Sequence, residues 1–197
     1  GQTLTFSKKY RSVKSVSLAW QDASDLIASV GMDGDNVKVS TKAGTAGNAL
    51  VLGKNADDET VWSWHIWVTD FDPDATAVTV DGFTFMDRNL GAVNATVGDV
   101  GAIGQAYQWG RKDPMPRVAS ITIADNIASS TGDYDIYDAS GAAIVEDSGD
   151  NTYYKILGAT TMAVSIAKPD YFITAASDRA WWTDGEDAHA DWWGGSS

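Results

Sequence analysis

Between Thr60 and Thr69 the chain carries bulk on both sides of one run. Val61, Ser63, His65, Trp67 and Thr69 point one way, and Trp62, Trp64, Ile66 and Val68 the other. A strand with large side chains on both faces is covered on both, so the pattern predicts a central, well-covered strand. Before it, Thr3 to Phe6 alternates, and Val13 to Trp20 places Val16, Leu18 and Trp20 on one face. Asp25 to Met32 runs into the turn cluster Asp33-Gly34-Asp35-Asn36, and Val37 to Ser40 returns as a strand. Ala49 to Leu52 adds another, and Asn55 to Glu59 marks the next turn. Four or five short strands at this spacing predict a small β-sandwich over residues 1–53.

Past Thr69, Asp70-Phe71-Asp72-Pro73-Asp74 breaks the run. Val78 to Val80 and Phe83 to Met86 flank Asp81-Gly82, a hairpin signal. Asp99 to Arg111 predicts a helix, capped by Asp99 with Val100, Ile103 and Tyr107 on one face; Gly101 and Gly104 weaken it. Asp113-Pro114-Met115-Pro116 ends it. Residues 117–150 read as a long surface excursion with short strands such as Ser120 to Ile123, and Tyr153 to Leu157 and Met162 to Ile166 as two more strands. The expected fold class is mainly β with some α, dividing into a sandwich at 1–53 and an α+β domain at 54–197.

Composition changes this picture in three ways. Cysteine is absent, which excludes disulfides, thiolate metal sites and cysteine nucleophiles. The formal charge is −13, and residues 1–60 balance, so the whole acidic excess lies in 61–197. An acidic surface repels phosphate and argues against a nucleic-acid partner. No apolar run approaches the ~20 residues of a transmembrane helix. The chain opens on Gly1-Gln2-Thr3-Leu4 without a signal-peptide pattern, so export implies a leader already removed or left out.

The candidate chemistry is thin. His65 sits in the strongest strand without obvious polar partners in sequence and reads as structural, whereas His189 lies in an acidic stretch, Asp184 to Asp191. Asp70, Asp72 and Asp74 alternate as calcium ligands do, but Pro73 and the lack of a loop Gly and distal Glu favour a turn cap. Asp133, Asp135 and Asp138 get the same reading. No cofactor is expected, with Ca2+ as the alternative. A buried Arg88 must be paired, with Asp87 or Asp113 as partner, which predicts a structural network of Asp87, Arg88, Asn89 and Asp113. Trp181, Trp182, Trp192 and Trp193 crowd the tail, either as half of a core or as a carbohydrate platform. No nucleophile elbow, zinc-protease helix or phosphate loop occurs, so no enzyme is expected.

Four segments carry a resemblance: Gly47 to Val51, Val61 to Asp70, Phe85-Met86-Asp87-Arg88-Asn89-Leu90-Gly91-Ala92, and Tyr107-Gln108-Trp109-Gly110-Arg111-Lys112-Asp113-Pro114. Together they resemble the Fibrobacter succinogenes major paralogous domain, found in fimbrillin-like surface proteins of Bacteroidetes. Trp192-Trp193-Gly194-Gly195-Ser196 is similar to a late motif of that family. The resemblance implies a C-type-lectin-like fold, related to the sulfatase-modifying factors, for residues 54–197. It also implies secretion and display on the cell surface. The family pattern continues past the point where this chain stops, so the second domain is expected to be incomplete and to be closed by a separate piece or another subunit. The implied function is an extracellular structural or adhesive module of a pilus, fibre or accessory subunit, with other protein subunits as partners in a homo-oligomer or fibre. The alternative is a lectin-like module that binds glycan.

Overall fold

The computed structural model describes residues 1–8, 12–108, 110–115, 121–124, 127–130, 136–144, 155–156 and 160–173. The described residues are mainly β, as the periodicity predicts. Six strands come first: β1 (Thr3–Ser7), β2 (Ser15–Gln21), β3 (Ile27–Asp33), β4 (Asn36–Thr41), β5 (Gly47–Lys54) and β6 (Thr60–Val68). They form two antiparallel three-stranded sheets, ordered β1-β4-β3 and β2-β5-β6. Between them lie Leu26, Ile27, Val37, Val39, Ala49, Val51 and Ile66, with Phe6 tilted against Trp64 at 5.6 Å between ring centroids.

The sandwich differs from the expected one in its extent. The division expected at 53/54 falls inside β5, and β5 pairs along its length with β6 on the far side. The five-residue link Asn55 to Glu59 joins them as a hairpin, with the Asn55 carboxamide oxygen accepting from the backbone N–H of Asp57 and Glu59, both at 2.9 Å. The sandwich therefore runs to Val68. Within the sheet order, β5 is central and β6 lies at the edge, which reverses the expectation for residues 60–69. Both faces of β6 are nonetheless used, as its double-sided bulk predicts.

Register explains a second difference. A bulge between Leu18 and Trp20 shifts the pairing of β2, so Leu18 opposes Val51 but Trp20 opposes Leu50. Directly opposed residues share a face, and one extra residue inverts the parity. Leu18 thus faces the inter-sheet core, while Trp20 joins Asn48, Leu50, Ser63, His65 and Trp67 on the outer face.

That outer face is covered by the chain beyond Val68. β7 (Val78–Val80) and β8 (Phe83–Phe85) form the hairpin that Asp81-Gly82 predicts, and both turn residues take positive φ (49° and 82°) as a type I′ turn requires. The helix expected at 99–111 is absent. Asp99 does cap a turn, accepting from the Gly101 N–H at 2.6 Å, but the turn is a 3-10 segment of only three residues, Val100–Ala102. Gly104 ends it at φ 78°, where a Cβ would lie 2.5 Å from the Leu90 carbonyl oxygen. The chain then pairs β9 (Ala106–Tyr107) with β10 (Pro114–Met115). The α-helix, α1 (Met162–Ala167), falls where the alternating run predicts a strand. Thr161 caps it, accepting from the Val164 N–H at 3.2 Å, and that local bond outweighs the weak propensity of six residues.

Candidate functional site

The outer face of sheet β2-β5-β6 gathers the buried polar groups. Asn48 is the hub. Alone among apolar neighbours on a central strand, it must be fully hydrogen-bonded. Its carboxamide nitrogen donates to Asp22 Oδ2 and to the Gly91 carbonyl, both at 2.9 Å, and its backbone N–H donates to Asp22 Oδ1 at 2.6 Å. Gln105 Nε2 adds a further donor to Asp22 at 3.2 Å. With both amide protons spent, Asn48 Oδ1 faces His65 Nε2 at 2.9 Å as an acceptor, so that imidazole nitrogen carries the proton. His65 Nδ1 is then the acceptor for the Tyr107 hydroxyl at 3.1 Å. Burial pushes the imidazole pKa down to about 4 and the Tyr107 hydroxyl up to about 12, so both groups stay neutral.

A second cluster lies further along β6. The buried Ser63 hydroxyl donates to Asp113 Oδ1 at 2.7 Å. The Lys112 ammonium donates to the same oxygen at 2.6 Å, to the Ser63 carbonyl at 3.0 Å and to the Ser63 hydroxyl, and it lies 4.4 Å from the centre of the Trp62 ring. Arg111, also buried, spreads its guanidinium over main-chain oxygens: Tyr171 at 2.5 Å, Lys168 and Pro169 at 3.2 Å and Ser165 at 3.5 Å, with Gln108 Oε1 at 2.8 Å. Burial lowers its pKa, and the carboxylates of Asp113 and Asp170 oppose that. The cation therefore holds the turn that follows α1, from Lys168 to Tyr171, and reaches the helix itself only at the Ser165 carbonyl.

No family model, curated protein or solved structure matches this chain. What the clusters can do must be read from their own geometry. A general base needs an open lone pair, and a nucleophile needs access. Both ring nitrogens of His65 are committed, and Ser63 is buried beneath a Lys–Asp ion pair. A half-open pocket of about 180 Å³ lies beside Trp62, Arg111, Lys112, Met162 and Ile166. It is smaller than the roughly 300–1,000 Å³ of small-molecule sites.

The expected network of Asp87, Arg88, Asn89 and Asp113 is divided. Arg88 pairs with Asp87 through two bonds of 2.7 and 2.9 Å, and its guanidinium lies 3.6 Å from the centre of the Phe71 ring. That hydrogen-bonded pairing holds the Asp87 carboxyl below its usual pKa and raises Arg88. Asn89 instead donates to the Ile103 carbonyl at 3.1 Å, and Asp113 belongs to the Ser63 cluster. The Asp70, Asp72 and Asp74 trio does not converge. Asp72 Oδ1 accepts from the Asp74 N–H at 3.0 Å, which is a turn cap. Asp138 does the same for Ser140 and Ala142, and that turn docks on β2 through Gln21, whose side chain donates to the Ala139 carbonyl at 2.6 Å. Among the described residues, no group of three His, Cys, Asp or Glu side chains is placed to hold a metal. Trp109, Asp133, Asp135, Trp181, Trp182, His189, Trp192 and Trp193 lie outside the described residues. The sequence pattern alone does not single out Asp22, Asn48, Gln105 and Tyr107; the available signal is a lone Asn immediately before the apolar run Ala49-Leu50-Val51-Leu52.

Proposed function

We propose that this chain is a structural or adhesive module of a bacterial cell surface, working with other protein subunits and not as an enzyme. The observation that carries the reading is the mutual pairing of Asp22, Asn48, His65 and Tyr107 on the outer face, where the buried Trp20 Nε1 and Gln105 Oε1 are left without a partner. Asp22, Asn48, His65 and Tyr107 hold one another and fasten the loops at 91 and 105–107 to the sheet. Arg111 is spent on the turn after α1 in the same way. Polar groups used to this extent give a single rigid arrangement and leave little to offer a substrate. Secretion and surface display rest on the resemblance in residues 47–114. Among the described residues, no helix is long and apolar enough to cross a membrane.

The test is electron microscopy of the purified chain, with immunogold labelling of intact source cells. Ordered fibres, or label on the cell surface, are the expected result. Label confined to the cell interior would overturn the reading. Saturable glycan binding without fibres would favour the lectin.

A further inference from the structure

The hairpin β7–β8 carries an apolar face that stands in solvent. Val78 opposes Phe85 and Val80 opposes Phe83, so these four side chains lie on one side of the ribbon. They are 49%, 56%, 53% and 69% exposed in that order, and Met86, at 43%, follows directly. Thr79 and Thr84 take the other side, their hydroxyls 3.2 Å apart. Isolated apolar residues on a surface need no explanation, but a contiguous patch held in shape by a type I′ turn does.

We propose that this face is a self-association surface, filled by the same hairpin of a second copy of this chain. The inference goes beyond the structural reading and does not depend on it. β7 supplies two Val and β8 two Phe. A two-fold axis parallel to the strands lays each Val strand over the partner's Phe strand, small against large at every level, as interdigitating sheet faces require. The four side chains expose on the order of 400 Å² per copy, so a pair buries at most about 800 Å², the size of a weak, transient contact and not of a stable interface. The dimer is therefore reversible. The same axis puts both turns at one end, with Asp81 beside Asp81. With a charge of −13 on each chain, association should weaken at low salt.

Sedimentation velocity of the full chain, from about 10 μM to about 1 mM and at ~0.05 and ~0.5 M salt, reads this directly. The weight-average mass should rise toward two chains with concentration, more steeply at high salt. Phe83→Ser combined with Phe85→Thr should hold the mass at one chain throughout, and so should Val80→Lys. Thr84→Ser, on the opposite face, should leave the association unchanged. A readout that leaves the face intact uses the absence of cysteine: a spin label on Thr79→Cys should report an inter-copy distance on the order of 25 Å that vanishes on dilution. One-chain mass at every concentration overturns the proposal, as does a dimer that persists in both face variants. A monomer that captures a foreign protein through this face overturns it too.

Discussion

At His65 every hydrogen-bond direction follows from one neighbour. Asn48 spends its two amide protons on Asp22 and Gly91, so it can only accept from the ring, and Tyr107 can only donate to it. Protonating the ring would set two donors, Nδ1–H and the Tyr107 hydroxyl, against each other in a buried place. Burial of the ring is why the folded imidazole titrates near 4, against the Asp113 charge that favours the proton, while an unfolded one titrates near 6.5. Between those values the unfolded chain binds the extra proton, so stability falls as pH falls, by about 2 kcal/mol from pH 7 to pH 5. Carboxyls held low, Asp87 by Arg88 and Asp138 by Ser140, lose their contribution only below the ordinary carboxylate range. Burial raises the Asp170 carboxyl, whose contribution runs the opposite way, so urea denaturation at pH 7 and pH 5 is read in an Asp170→Asn background to isolate the histidine. His65→Gln keeps a donor and an acceptor but cannot titrate, so it should be less stable at pH 7 and nearly flat between the two. An equal loss in both proteins would mean that His65 is not the titrating group.

At the scale of the element, α1 shows what periodicity can and cannot decide. Met162-Ala163-Val164-Ser165-Ile166 alternates large and small and includes the β-branched Val164 and Ile166, which reads as a strand. Two groups outside that pattern make it a helix: the Thr161 cap at one end and Arg111, some fifty residues earlier in the chain, on the turn that follows the other. The error at 99–111 has the mirror cause. Its cap and apolar spacing are real, but Gly104 must approach the Leu90 carbonyl with positive φ, a tertiary demand that no spacing reveals. The β7–β8 hairpin was legible because its determinant, Asp81-Gly82, is local. The Arg111 assignment predicts a large effect. Arg111→Met removes the donor from the buried Ser165 and Pro169 carbonyls and the part-buried Tyr171 and Lys168 carbonyls and should cost about 3 kcal/mol, with helix signal near 222 nm lost first on heating. Arg111→Lys keeps the charge but cannot fork across Tyr171, Lys168 and Pro169, so it should recover less than half of that. Full rescue by Lys would show that charge beside that turn, not the fork, is what matters.

In the whole molecule, the decisive feature is that β5 is the middle of a sheet buried on both sides. Its inner residues Ala49 and Val51 meet the β1-β4-β3 sheet, and its outer residues Asn48 and Leu50 lie under the chain from 89 to 107; all four are fully buried. The alternation of residues 1–53 predicts a small sandwich there, and the structure shows two three-stranded sheets that run on to Val68. The alternation does not show which strand is central, because both runs have two apolar faces and only pairing distinguishes middle from edge. The acidic turn at 55–59 looked like a boundary for the same reason: a loop that joins two paired strands and one that separates two domains have the same composition. The fold makes a clear statement about fragments. Residues 1–53 would keep β1 to β4 and most of β5 but lose β6, so β5 loses the pairing of one edge and Val51 and Ala49 lose Trp64 and Ile66 from across the strand. Unpaired backbone and uncovered apolar surface both disfavour folding, and a sandwich this small has no surplus stability to absorb the loss. That fragment should give a coil spectrum in the far ultraviolet and no cooperative melt. Residues 1–68 restore the pairing but leave Asn48, Leu50, His65 and Trp67 uncovered, and should associate or bind a hydrophobic dye. Residues 1–115 bring back Gly91, Gln105, Tyr107 and Asp113 and should be the first of the three to melt cooperatively. A cooperative transition in residues 1–53 would place the boundary back at 53/54 and demote the β5–β6 pairing to a contact between independent units.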